Sequence, residues 1–226
     1  MMEERYSRNI PAVSEEDMKK LKSSRAFVAG CGGLGGFIIE YLARMGVGAI
    51  TVVDGDEFSE SNLNRQLLSK VSNMGVNKAL AAAERIRDIN PEVSIRAVPE
   101  FLTKENAASL LADADVVVDA LDNVSSRHIL EDAAADAGLT VIHGAICGWD
   151  LQVMLVPPGS GMLHQLYPEG SAAGTKTSLP FTPAMCAALQ ASMAVRYLCG
   201  RSLKQDTDLF VGSLKDLSFE FIHLGD

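Results

Sequence analysis

Positive charge is scarce in this chain. Lys and Arg number 20 against 29 Asp and Glu, giving a net charge of −9 at pH 7. That balance argues against general binding to nucleic acid or to an anionic membrane. It also makes any local group of basic residues worth explaining. Long apolar runs are missing, and Met1 to Pro11 is too polar for a signal peptide, so the expected location is the cytoplasm. Cys31, Cys147, Cys186 and Cys199 are scattered singly, which gives no disulfide framework and no Cys-x-x-Cys pair to hold zinc. Cys31 reads as a small side chain in a glycine turn, and Cys186 and Cys199 as core. His128, His143, His164 and His223 lack ligand spacing and read as structural. Internal repeats, low-complexity tracts and interdomain linkers are absent too. With 226 residues, 47% of them hydrophobic, the expectation is one domain with a sizeable core.

The most informative stretch present runs from Phe27 to Asp54. An apolar strand (Phe27, Val28, Ala29) meets Gly30-Cys31-Gly32-Gly33-Leu34-Gly35-Gly36. A helical segment follows, then Ile50 to Val53, a second strand ending on Asp54. Glycines between a strand and a helix let bare N–H groups approach a phosphate, where the helix dipole also favours negative charge. An acidic residue about 20 positions later suits a ribose hydroxyl. Gly30, Gly32, Gly33, Gly35 and Asp54 are therefore candidate nucleotide-binding residues.

The spacing predicts helices at Ser14 to Leu21, with Ser14 as N-cap, at Leu34 to Met45, and at Asn77 to Ile89 with Leu80, Ala83 and Ile86 on one stripe. Further helices are expected at Thr103 to Leu111, Ser125 to Ala137 and Pro183 to Leu198. Val93 to Val98, Val116 to Asp119 and Thr140 to Ala145 read as strands, the second apolar throughout and so buried on both faces. Strands alternating with helices imply βαβ units and a mainly parallel sheet. After Gly148 the pattern changes. Leu151 to Val156 is a strand with no helix behind it, and Met162 to Pro180 is a crossover with little periodicity. Leu209 to Val211 and Phe219 to Ile222 form a closing hairpin. The predicted class is α/β, Rossmann-like, with a helix-flanked central sheet and antiparallel strands added in the C-terminal third.

Three further segments could carry chemistry. Asp54 and Asp56 lead a polar turn that delivers Arg65 and Gln66; a solvated loop is the plainer reading of such a stretch. Lys78 opens a helix, where its charge opposes the dipole unless a phosphate compensates; an exposed lysine is the plainer reading. Asp119-Ala120-Leu121-Asp122-Asn123 lies at the carboxyl end of a strand, where ligands of open α/β sheets bind. Asp122 beside a triphosphate would be a natural Mg²⁺ ligand. Alternatively, Asp122 or Asn123 caps the next helix. Arg127 reads as a surface ion pair or a phosphate contact, and Trp149 as packing or a wall of the site.

Together these segments resemble the ThiF/MoeB/HesA family, bacterial relatives of ubiquitin-activating enzymes. The likeness starts at Arg5-Tyr6-Ser7-Arg8, with Asn9 where the family usually has Gln. It continues through the glycine run, Asp54 to Gln66, Lys78, Asp119 to Asn123 and Gly144 to Val153, roughly two-thirds of the chain. It implies a single nucleotide-binding domain over residues 1–226: an arm and helix (1–24), a core (25–148), and a sheet extension with crossover loop and helix (149–226). By resemblance, Asp54 holds the ATP ribose and the glycine loop lies on the phosphates. Arg65 and Lys78 contact phosphate, Asn62 and Gln66 line the site, and Asp122 associates with Mg²⁺. Arg8 matches an arginine that in dimeric members reaches the neighbouring subunit's triphosphate, which implies a homodimer.

The implied reaction is adenylation. A carboxylate, typically the C-terminal glycine of a ubiquitin-like or sulfur-carrier protein ending in Gly-Gly, attacks ATP to give an acyl-adenylate and pyrophosphate. The carboxylate is already ionised, so no general base and no Ser/His/Asp triad is needed. Cations and alignment must instead overcome repulsion between anions: Mg²⁺, Arg8, Arg65 and Lys78. Relatives often carry two zinc-binding Cys-x-x-Cys pairs and a reactive cysteine in the crossover. This chain has no such pair, and Gly170 to Pro180 has serines and threonines but no cysteine, so a reaction ending at the adenylate is expected. The alternatives are a relative activating another carboxylate or amide (a peptide or tRNA base), a nucleotide-binding module without turnover, and, from the glycines alone, a dehydrogenase.

Overall fold

The computed structural model describes residues 3–170 and 177–224. Its centre is an eight-stranded sheet in the order β3-β2-β1-β4-β5-β6-β7-β8. The strands are β1 (Arg25–Ala29), β2 (Ala49–Val53), β3 (Ser94–Val98), β4 (Val116–Asp119), β5 (Val141–Cys147), β6 (Asp150–Val156), β7 (Leu209–Ser213) and β8 (Ser218–Ile222). The first five run parallel, with Val28 opposite Val52 on one side and Val118 on the other. All four residues of β4 are buried, Val116 to Val118 as an apolar run requires and Asp119 with its carboxylate hydrogen-bonded to His143 and Leu121 N.

From β6 onward the pairing is antiparallel. The cause is local. Cys147 pairs with Asp150 across a two-residue turn in which Gly148 has φ +59°, and two residues cannot hold the crossover that a parallel strand needs.

Helices cover both faces. One core joins α1 (Glu15–Ser23), α2 (Gly35–Arg44), α3 (Lys78–Ile89) and α7 (Phe181–Leu198) to the sheet. The other lies under α4 (Lys104–Leu111), α5 (Val124–Asp136) and α6 (Met162–Leu166). Ser14 accepts a hydrogen bond from Asp17 N, the cap expected of it.

Two expectations need correction. Leu80 is half exposed, and α3 packs instead through Ala79, Ala82, Ala83 and Ile86, because alanines bring the helix closer than a leucine stripe would. The crossover holds a short helix, α6, too brief for periodicity to reveal; the Glu131 carboxylate accepts from its Leu163 and His164 N–H groups. Residues 171–176 of the predicted crossover lie outside the described ones. No helix of the described chain is long and apolar enough to cross a membrane.

Candidate functional site

The strand order reverses between β1 and β4, and there the carboxyl ends of the parallel strands open into a cleft of about 1110 Å³. Gly30, with φ +97°, turns the chain off β1 and donates to Val53 O at 2.8 Å. A Cβ on Gly35 would lie 1.9 Å from Gly30 O, so this glycine exists for close packing, and it does not line the cleft. Gly32 and Gly33 do line it, with nothing nearer than 3.6 Å to an added Cβ.

Asp54 lines the cleft at the end of β2. One of its oxygens accepts from Cys31 N (2.7 Å) and the other from Asp56 N (2.8 Å). Burial raises its carboxyl above the usual value, against the pull of those two N–H groups. Asn77, overlooked in the sequence, builds this corner. Its amide donates to Asp54 O and Asp56 O, while its side-chain oxygen caps α3. The N-cap position ahead of Lys78 was the available signal.

Lys78 is not on a solvated face. It is buried, lines the cleft and meets the Asp56 carboxylate at 3.0 Å. Arg65, half-buried, donates to two neutral oxygens, Ser61 O and Asn64 Oδ1. Gln66 lies beside Gly32, and its Oε1 is buried without a hydrogen-bond partner. Asp122 and Asn123 also line the cleft. Asn123 caps α5 by accepting from Ser126 N at 2.8 Å, so the cap falls to it and leaves Asp122 to the cleft wall.

Other predicted residues stand elsewhere. Asn62 is buried in a 3₁₀ turn and accepts from Ser59 N, away from the cleft lining. Arg8 is exposed on the N-terminal 3₁₀ turn (Glu4–Asn9) and does not line the cleft of its own chain. Asp119 is fully buried and faces inward. Its oxygens accept from His143 Nδ1 (2.7 Å) and Leu121 N (2.9 Å). Burial would raise Asp119, but the His143 hydrogen bond and the nearby Arg127 charge outweigh it and hold the carboxyl below its ordinary value. Burial pushes the His143 imidazole down, against the pull of Asp119. The pair therefore rests as carboxylate and neutral imidazole.

Arg127 is buried rather than at the surface, and it lines the cleft. Trp149 packs on Phe181 outside the lining. His164 stacks on His128 at 4.0 Å and bonds Asp132. Cys31, Cys186 and Cys199 are buried, whereas Cys147 is exposed at the cleft. Among the described residues no three His, Cys, Asp or Glu side chains form a metal-holding group.

A glycine loop, a carboxylate at the end of β2 and three cations lining one cleft at the switch point of a doubly wound sheet are the pattern of a nucleotide-binding α/β protein. The chain belongs to the ThiF family, whose model matches residues 6–224 and so includes the C-terminal third. It is 36% identical over 227 residues to the SAMP-activating enzyme E1 of Haloferax volcanii, covering 97% of this chain and 84% of that protein. It is 36% identical over 211 residues to a sulfur carrier protein adenylyltransferase of Thermus thermophilus, covering 87% and 78%. Among solved structures, MccB of E. coli in complex with MccA superposes with a TM-score of 0.82 at 20% identity, over 98% of this chain and 72% of that one; this likeness concerns the fold.

Proposed function

We propose that this chain is an ATP-dependent adenylyltransferase. It activates the C-terminal glycine carboxylate of a ubiquitin-like or sulfur-carrier protein ending in Gly-Gly, as an acyl-adenylate with release of pyrophosphate. What carries the reading is the convergence of Gly32, Asp54, Arg65, Lys78 and Asp122 on one cleft in a chain of this family. Asp54 grips the ribose, and the loop N–H groups and the orphaned Gln66 Oε1 face the nucleotide. Arg65 brings a planar fork and Lys78 a point charge to the phosphates. Asp122 is the one residue proposed to hold Mg²⁺, which fits a metal that arrives on phosphates and needs only one or two carboxylates. When bound, the ion neutralises phosphate charge.

The chain's own residues have three tasks: to align two anions, to shield their charges, and to exclude water. The exposed position of Arg8 outside its own cleft suits a residue that serves the partner's site in a homodimer. The crossover sequence lacks cysteine, which favours a reaction that ends at the adenylate.

ATP–pyrophosphate exchange with and without carrier proteins ending in Gly-Gly tests the proposal. Exchange should require the carrier, vanish in Asp122→Ala and survive replacement of each cysteine. Tight NADH binding without ATP affinity would overturn the assignment.

A further inference from the structure

The cleft is larger than its nucleotide. A single small ligand fills about 300–1,000 Å³, and here the space is about 1110 Å³. It extends from Phe101, beyond β3, to Phe219 on β8. Strands lie ~4.8 Å apart, so the part from β4 to β8 adds roughly 19 Å beyond the glycine loop and Asp54. Three Lys or Arg side chains line the cleft among the described residues. Arg65 and Lys78 sit in segments that follow β2, on the nucleotide side. Arg127, in α5 behind β4, stands at the junction with the far part. That far part carries the carboxylates Asp150 and Glu220 and no other cation.

Arg127 is itself under-satisfied. It is 8% exposed, and among the described residues one of its five N–H donors, on Nη2, makes a hydrogen bond, to Leu121 O at 2.7 Å. Its Nε is buried without a partner. Asp119 lies 3.4 Å from that Nε without bonding it, because His143 and Leu121 N already occupy the carboxylate. The Asp119 charge offsets part of the cost of burying this guanidinium, and its spare donors are left for a ligand to complete. The group is nonetheless held in place. Its carbon stands 4.8 Å over the Tyr167 ring. The Tyr167 hydroxyl accepts from Gln152 Nε2 (2.6 Å) and donates to His143 Nε2 (3.1 Å), whose other nitrogen donates to Asp119.

We infer that Arg127 receives the carboxylate that attacks ATP, and that Tyr167 is the positioning residue that fixes its guanidinium. This rests on the adenylation reading and assigns the second anion of that site its cation. Arginine's fork matches a carboxylate with two parallel hydrogen bonds, and the free N–H groups of Arg127 supply them.

The test measures carrier-dependent ATP–pyrophosphate exchange by wild type, Arg127→Gln, Arg127→Lys and Tyr167→Phe. Circular dichroism melts monitor folding. Arg127→Gln should raise the carrier's KM on the order of tenfold while the KM for ATP stays within about twofold; Arg127→Lys should recover part of the loss. Tyr167→Phe should give a smaller rise of the same kind. The same carrier with an amidated C-terminus keeps its docking surface but not its charge. It should inhibit wild type and Arg127→Gln with equal Ki. An unchanged carrier KM in both arginine variants overturns the inference. So does a KM for ATP that rises in step, which makes Arg127 a phosphate ligand, or an amide Ki that rises as far as the carrier KM. Wild-type chain that binds ATP yet exchanges with no carrier defeats the adenylation reading itself, an outcome visible before any variant is compared.

Discussion

Two glycines in one loop should fail in opposite ways when each is changed to alanine. At position 35 the new Cβ would lie 1.9 Å from Gly30 O, where ordinary contact begins at 3.4 Å. About 1.5 Å of separation must open between two stretches of backbone, and neither can rotate aside as a side chain would. Gly30 cannot retreat either, since its own Cβ position is 2.6 Å from Ala120 O on the next strand's exit. Overpacking costs roughly 1–3 kcal/mol and more where backbone must move. For a domain of this size ~3 kcal/mol corresponds to a Tm lower by about 6–12 °C. At position 32 the added Cβ meets only the Gln66 amide at 3.6 Å, ordinary contact. Gly32→Ala should therefore melt within about 2 °C of wild type. Its methyl instead intrudes where phosphate must approach the backbone. Losing one hydrogen bond to a charged group costs roughly 1.5–3 kcal/mol, about 10- to 100-fold in ATP affinity. Thermal melts and ATP titration calorimetry separate the two. A Gly35→Ala chain with wild-type Tm, or a Gly32→Ala chain that loses stability but binds ATP normally, would refute the division of labour.

Two further outcomes are expected. Asp119 and His143 both have folded-state values below their ordinary ones, so the unfolded chain binds more protons in acid. Their contribution to stability is whole above the usual imidazole value of 6.5 and is lost as pH falls, first through the His143 window and then below the carboxyl value of 3.8; urea unfolding from pH 8 to 4 should show this, and His143→Asn should flatten the upper part. Lys78→Met should leave stability within about 1 kcal/mol, because its partner Asp56 is 58% exposed and falls back on solvent; it should lower kcat/KM for exchange about 100-fold, measured at subsaturating ATP.

Legibility from sequence followed the range of the interactions. The parallel core could be read because each strand is one apolar run and each helix one periodic stripe, with the cap at Ser14 marking one of the starts. The glycine loop and Asp54 could be read because they lie close in the chain. Leu80 was misjudged because its stripe competes with a better alanine face, which depends on how near the sheet lies. Asp119 and Asp122 are three apart and of one residue type, yet one faces His143 in the core and the other the cleft. Asp119 is the last residue of β4 while Asp122 lies in the loop beyond it, and no local signal marks where the strand stops. Arg127 and Tyr167 were invisible as a pair, since they stand 40 positions apart and no local spacing links a helix to a crossover.

The charge balance ties these observations together. A chain of net charge −9 repels both ATP and a carboxylate at long range, so capture must be local. Two of the three cleft cations have a carboxylate behind them: Asp56 for Lys78, Asp119 for Arg127. Such backing neutralises the buried cation while the cleft is empty, which keeps its desolvation cost tolerable. It also blunts attraction for stray anions. On the proposed reading a ligand must supply hydrogen-bond geometry as well as charge, which would favour a triphosphate or a terminal carboxylate over a simple salt ion. Arg65, held only by neutral oxygens, keeps its full charge toward the cleft. On the proposed reading, Arg65 makes the first contact with phosphate.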